Sequence, residues 1–316
     1  MRNSKVFFIL FTLALSVGFV FGLITTKKGS PKIVTTSVSP SFPPTPVKEV
    51  TVLAVGDVML GRSVNNQSLS HRNFAWPFLE TAGVLRSADL TIGNLENPLV
   101  KNCPPHDNGF IFCAPDEAVS GLIYAGFDVV SLANNHATNY KIEGLENTKK
   151  VLEQNGILSA GLGVPAIVRR GDTDFAILAY NDIGIYPGVS NYNEHEIEKE
   201  LAMAREQGDL VIVFFHWGEE YTATPTKRQV ELAHRAIDLG ADLVLGAHPH
   251  WVQTEEVYKD KHIFYSLGNF IFDQEWSQET KEGMAVRFTY QDKNLLKIDR
   301  LPVLIQNYGQ PRFIAP

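Results

Sequence analysis

The sequence predicts an α/β fold, and three observations predict it. Short β-branched apolar runs of strand length recur along the 316-residue chain. Segments with helical apolar spacing, several closed by glycine, alternate with many of them. Five of the runs end in a metal-type side chain: Val52–Gly56 in Asp57, Leu90–Leu95 in Glu96, Val129–Ala133 in Asn134-Asn135-His136, Val211–Phe215 in His216, and Leu243–Leu245 in His248 and His250. Functional groups of open α/β sheets gather beyond the carboxyl ends of the strands. The strands and their ends are therefore read as one constellation.

The N-terminus stands apart from that pattern. A basic segment, residues 1–5, precedes the apolar run Val6–Ile24, which at about 1.5 Å per residue nearly matches a hydrocarbon core of roughly 30 Å. Two readings fit it, an uncleaved single-pass transmembrane anchor and a cleavable signal peptide. The length of the run and the lack of a clear A-x-A site favour the anchor. Lys27, Lys28 and Lys32 balance Arg2 and Lys5, so charge does not set the orientation. Residues 25–49 read as a stiff linker, with Pro31, Pro40, Pro43, Pro44 and Pro46 among Ser and Thr. A tether after a membrane segment predicts an extracytoplasmic domain at the cell membrane.

The globular part is expected over residues 50–305, with a tail at 306–316. Val50–Val55 is the first strand, and Trp76–Ser87 a helix begun by Pro77. Asp89–Gly93 is the second strand, and residues 97–114 are a loop. Pro115–Tyr124 is a helix stopped by Gly126, Phe127–Leu132 the third strand, and Ile142–Gln154 a helix ended by Asn155-Gly156. Pro165–Arg170 and Asp174–Tyr180, joined by Arg170-Gly171-Asp172, read as an antiparallel hairpin. Asn193–Gln207 is a helix, Leu210–Phe215 a strand, and Pro225–Leu239 an amphipathic helix before Leu243–Leu245. The runs Gln253–Tyr258, His262–Ser266, Gly283–Tyr290 and Leu295–Leu301 are expected as further antiparallel strands. Across Pro249, extended chain would turn His248 and His250 to the same side.

The formal net charge of −7 argues against nucleic-acid binding, which asks for a basic face. The two cysteines, Cys103 and Cys113, bracket a Pro-rich loop. They read either as free thiols or, in an exported chain, as a disulfide contributing about 2–3 kcal/mol.

Asp57, Glu96, Asn135, His216, His248 and His250 form a nitrogen–oxygen donor set without sulfur, suited to Mn²⁺, Fe²⁺ or Zn²⁺. Six such groups exceed the needs of one ion, and a two-metal centre with a bridging carboxylate accommodates them. The chemistry that follows is metal-assisted hydrolysis.

Six ordered motifs carry a resemblance: Gly56-Asp57, Gly93-Asn94-Leu95-Glu96, Asn134-Asn135-His136, His216-Trp217-Gly218-Glu219-Glu220-Tyr221, Gly246-Ala247-His248-Pro249-His250 and Tyr265-Ser266-Leu267-Gly268-Asn269-Phe270. Over about Thr51 to Phe272 the chain resembles the CapA family of capsule and poly-γ-glutamate synthesis, within the calcineurin-like metallophosphoesterase superfamily. The resemblance implies a four-layer α-β-β-α sandwich on an N-terminal transmembrane helix. It implies that Asp57 and His250 hold a first metal, that Glu96 bridges, and that Asn135, His216 and His248 hold a second. His136 would sit beside the substrate as proton donor or oxyanion stabiliser.

Arg62 is expected either to bind an anionic group or to lie on the surface. Asn269 would bind substrate or cap a loop, and Trp217, Tyr221 and Trp251 would shape a cleft or pack. Two positions depart from the family. Met59 stands where the wider superfamily places the histidine of D-x-H, so the first site is expected to be weak or empty. Asn139 stands where many relatives carry Asp, and is expected to remove an outer partner of the site. Two functions remain open: a membrane-anchored hydrolase of a phosphoester or polymer amide, and a non-catalytic subunit that holds an anionic extracellular polymer such as poly-γ-glutamate for membrane synthase or exporter subunits.

Overall fold

Aliphatic residues on both faces of the central strands decide the layering, because such strands must be covered on two sides. The structure, a computed structural model, describes residues 49–315, with Gly22 alone before them. The expected basic segment, anchor and linker otherwise lie outside the described residues. Among the described residues no helix is long and apolar enough to cross a membrane.

In chain order the elements are β1 (Val50–Val58), α1 (Arg62–Ser70), α2 (Ala82–Leu85), β2 (Leu90–Leu95), α3 (Val119–Ala125), β3 (Val129–Ser131), α4 (Lys141–Gln154), β4 (Leu158–Ala160), β5 (Ala166–Arg170), β6 (Thr173–Asn181), α5 (Glu194–Gln207), β7 (Leu210–His216), α6 (Lys227–Asp238), β8 (Leu243–Ala247), β9 (Glu255–Tyr258), β10 (Lys261–Phe264), β11 (Asn269–Ile271), β12 (Glu282–Gln291), β13 (Asn294–Gln306) and β14 (Gln310–Phe313). One sheet runs β14-β13-β12-β1-β2-β3-β4, with β11 also paired to β1. The other runs β5-β6-β7-β8-β10-β9.

The two sheets meet through Val52, Ala54 and Ile92 on one side and Ile177, Ile212, Phe214 and Leu245 on the other. The alternate residues of β1, Leu53 and Val55, turn outward onto α1–α4 through Val64, Leu85, Leu122 and Leu145. Likewise Val211, Val213 and Phe215 of β7 pack outward onto Leu201 of α5 and Leu232 and Ile237 of α6. Strand periodicity of two thus feeds two cores at once. The result is a mixed α/β fold of two stacked sheets with helices against both outer faces.

Helix ends follow local chemistry. Thr226 and Gln229 form a reciprocal capping box on α6, Asn193 caps α5, and Gly126 closes α3 at a φ of 83°.

Several expectations are corrected. The helix expected over Trp76–Ser87 is a 3-10 turn, Trp76–Phe78, and the single helical turn α2. The expected antiparallel tail holds two parallel pairings, β10 on β8 and β11 on β1. The segment expected as a C-terminal tail carries the edge strand β14.

Candidate metal centre

Register delivers the first group of side chains. Parallel pairing sets Asp57 opposite Asn94 on β2 and opposite Asn269 on β11. That approach requires glycine before Asp57, since a Cβ at Gly56 would stand 1.9 Å from the Gly268 carbonyl oxygen. Asn94 donates through Nδ2 to Asp57 Oδ1 at 2.8 Å, and its oxygen receives Asn134 Nδ2 at 3.1 Å. Glu96 follows two residues on, with its backbone N–H tied to Val58 O at 2.9 Å.

The second sheet supplies the histidines. His216 ends β7 opposite Ala247 of β8, and His248 and His250 follow in the next turn. The chain there is not extended: φ is 90° at His248 and 58° at His250, a region costing roughly 1–3 kcal/mol per non-glycine residue. Convergence therefore comes from a strained turn, not from the side-chain alternation of a strand. Such strain concentrates at functional sites.

The six expected ligands come together. His250 Nδ1 lies 3.3 Å from Asp57 Oδ2, and its Nε2 lies 3.9 Å from Glu96 Oε1. Asp57, Glu96 and His216 each offer a ligand atom, all within 4.8 Å of one another. His216 Nε2 lies 2.8 Å from Asn135 Oδ1, and the His216 and His248 rings are 4.7 Å apart. The His248 backbone donates to Asp57 Oδ2 at 3.2 Å. His136 Nε2 is 3.8 Å from Glu96 Oε1.

All of these groups except Asn135 are buried, and that sets their protonation. Burial and the neighbouring Asp57 charge push the Glu96 carboxyl well above the usual carboxylate range. Burial would also raise Asp57, but the hydrogen bond and charge of His250, with Asn94 and the His248 N–H, bring it below its ordinary value. Burial presses His136 down to about 4 and His248 to about 3, and it lowers His216 strongly, helped by the other imidazoles. Three neutral imidazoles beside two carboxylates are the donor chemistry of a divalent cation. Both Glu96 oxygens and His248 Nδ1 are buried without a hydrogen-bond partner among the described residues. Orphaned acceptors of this kind fit a bound cation, since burial without a partner costs free energy.

Asn269 is placed differently from its expected substrate role. It is fully buried; its Oδ1 faces His250 Nδ1 at 2.9 Å, and its Nδ2 donates to Gln274 Oε1 and to the Thr280 carbonyl. The side chain has no donor to spare and orients His250, leaving Nε2 toward Glu96.

Arg62 is likewise not an exposed surface residue. It is buried, paired with Asp273, bonded to Gly109 O at 3.1 Å, and stacked near Phe112 and Phe272. Its charge is already met by Asp273, which limits capture of an anion.

Met59 is fully buried, and its sulfur accepts the Gly61 N–H at 3.0 Å. Asn139, expected as a loss, faces His136 Nδ1 through Oδ1 at 3.0 Å. Trp217 is buried, its indole N–H bonded to Tyr265 O at 2.8 Å, while the Tyr221 ring lies 6.1 Å from His250. Cys103 and Cys113 are bonded, with sulfurs 1.97 Å apart.

Sequence reasoning gave no role to Asn94, Asn134, Phe112 or Asp273. Signals existed for two of them: Asn94 sits two residues before Glu96, on the same side of β2, and Asn134 ends the run Val129–Ala133 within the Asn134-Asn135-His136 motif.

The sequence profile described as bacterial capsule synthesis protein PGA_cap matches residues 51–274. The capsule biosynthesis protein CapA of Bacillus anthracis is 34% identical over 288 residues, 84% of this chain and 69% of that one. The PGA biosynthesis protein CapA of Bacillus subtilis is 31% identical over 267 residues, 79% and 70% of the two chains. A solved structure described as a novel phosphatase from Mycoplasma pneumoniae shares the fold, with a TM-score of 0.52 and 15% identity, covering 84% of this chain and 95% of that one. On the match over residues 51–274 and the identity to both CapA proteins, this chain belongs to the bacterial capsule synthesis protein PGA_cap family.

Proposed function

We propose that the chain is a membrane-anchored, extracytoplasmic metallohydrolase of capsule or poly-γ-glutamate synthesis or export. On this reading its layers are the α-β-β-α sandwich of the metallophosphoesterase type, carried on an N-terminal transmembrane helix. The observation that carries the reading is Glu96, with two orphaned carboxylate oxygens among Asp57, His216 and His250. Asp57 and His250 would hold one ion, Asn135, His216 and His248 a second, and Glu96 would bridge them, with Mn, Fe or Zn as the metal. Bound divalent ions supply Lewis acidity and bring the pKa of water toward neutrality.

The chain's own groups do the rest. His136 stands beside Glu96 with Nε2 facing the cluster. With Nδ1 bonded to Asn139, the neutral ring presents a lone pair at Nε2, where it would accept the proton released by an attacking water and pass it on to the leaving group. The transfer is transient, because burial keeps the resting ring neutral at pH 7. The substrate is a phosphoester or an amide of an anionic polymer such as poly-γ-glutamate, presented by membrane synthase or exporter subunits.

Purified full-length chain with Mn²⁺ should turn over generic phosphoester or polyglutamyl substrates, and His136→Ala should lower the rate by about 10²–10⁴-fold. Equal rates in the two proteins would remove the claim.

One observation favours a second reading, a non-catalytic subunit that holds polymer. Met59 offers a sulfur already bonded to Gly61 where a nitrogen ligand is expected. Metal-dependent retention of polymer without any cleaved product would support that alternative.

A further inference from the structure

The loop of residues 103–113 lies against the proposed centre and has no role in the reading above. Its bridge joins Cys103 to Cys113. Phe112, next to the bridge, stacks on the His136 imidazole, with ring centres 4.0 Å apart and planes 26° from parallel. The Phe112 backbone N–H donates to Asn139 Oδ1 at 2.7 Å. Only an oxygen can accept that bond, so the Asn139 amide has one possible orientation. The same oxygen lies 3.0 Å from His136 Nδ1, which must therefore carry the proton. The loop is pinned from the other side as well, by Arg62 donating to Gly109 O at 3.1 Å and Asn66 donating to His106 O at 3.2 Å. Phe110, at the loop tip, is 81% exposed, so the apolar packing of this segment is concentrated at Phe112.

We infer that the disulfide-closed loop positions His136: Phe112 fixes the plane of the ring, and its N–H orients Asn139 to select the Nδ1–H tautomer, which leaves Nε2 bare toward Glu96. The inference rests on the reading that His136 serves the reaction, but its structural content stands without turnover. Phe112 and Asn139 act through His136 and are positioning residues. Asn139 thus supplies, as a neutral acceptor, the outer contact that an Asp would otherwise make.

The test uses the full-length chain labelled with ¹⁵N in its histidine rings. Two-bond nitrogen–proton correlations read the His136 tautomer in oxidised protein, after reduction with a phosphine, in Phe112→Leu, in Asn139→Ala and in Asn139→Asp. The Nδ1–H signature is expected in oxidised protein and in Asn139→Asp. It should give way to mixed tautomers in Asn139→Ala and in reduced protein, with Mn²⁺ binding kept. Phe112→Leu, which retains the N–H, should keep the tautomer and broaden the ring signals. Turnover should fall about tenfold in reduced protein, the usual scale for losing an outer partner. An Nε2–H signature in oxidised protein, or a signature indifferent to both reduction and Asn139→Ala, would overturn the inference. The expected tautomers in a protein that cleaves nothing would support it while removing the hydrolase reading.

Discussion

Glu96 is a carboxyl group buried with both oxygens bare, beside Asp57, and without a cation that arrangement costs stability. Glu96→Gln removes the charge and its repulsion. In chelator, above neutral pH, this variant should be more stable than the wild type by about 1 kcal/mol or more. It should also lose the Mn²⁺-induced rise in Tm, worth about 2.7 kcal/mol at a hundredfold excess over Kd. A thermal scan with and without Mn²⁺ checks both, and an unchanged metal response would sink the assignment. The histidines give a second test. His136, His216 and His248 bind protons less readily folded than at their ordinary value near 6.5, so the unfolded chain holds more protons below that pH. Their contribution is present above about 6.5 and is lost as pH falls toward 4 and 3. Glu96, raised by burial, acts in the opposite sense, with stability present at low pH and lost as pH rises through its folded value. His262 adds to the histidines and Glu200 to Glu96, and four groups against two leave a net loss on acidification, about 1.4 kcal/mol per pH unit for each uncompensated proton. Urea midpoints of metal-free protein between pH 6.5 and 4.5 should therefore fall, and a flat profile would contradict the burial of these rings. At this scale the sequence exposes ligand types, because each follows an apolar run. It hides what burial decides: Arg62, read as an anion binder or a surface residue, and Asn269, read as a substrate residue or a loop cap, are bonded to Asp273 and His250.

The strands carry the site, and their ends were the legible part of the fold. β1, β2, β7 and β8 are apolar on both faces, a pattern that few other local structures produce. Elements that lean on neighbours were hidden: β4 and β11 are three residues each, and α1 is a polar RSVNNQSLS segment. The His-Pro-His turn shows the limit of periodicity, since the two imidazoles meet through positive φ values that alternation does not foresee. Close approach of elements gives a prediction at this scale. A Cβ at Gly56 would meet the Gly268 carbonyl oxygen at 1.9 Å, backbone against backbone. Gly56→Ala must push β11 away from β1, at a cost of at least about 2 kcal/mol, and carry Asp57 and Asn269 apart. The urea midpoint should drop together with metal affinity, and an unshifted midpoint would show that the strands yield freely.

Taken whole, the molecule brings residues from both sheets to one cluster: Asp57, Glu96 and Asn135 from the first, His216, His248 and His250 from the second. Such a centre depends on the stacking of the sheets, and so metal binding and folding should be linked. The chain's net charge of −7 adds a consequence, because an anionic polymer is not drawn in by the protein's overall field. On the proposed function, recruitment would then fall to the ions or to partner subunits. The central claim, that these six side chains hold divalent metal, is tested most directly by metal analysis of the full-length chain after incubation with Mn²⁺ and removal of unbound ion. The account predicts retained metal in the wild type, with the site of Asn135, His216 and His248 filled first because Met59 weakens the other, and a clear loss in Asp57→Ala and His216→Ala variants that keep their folded spectra. A wild type that retains no ion, or variants that retain as much as it does, would contradict it.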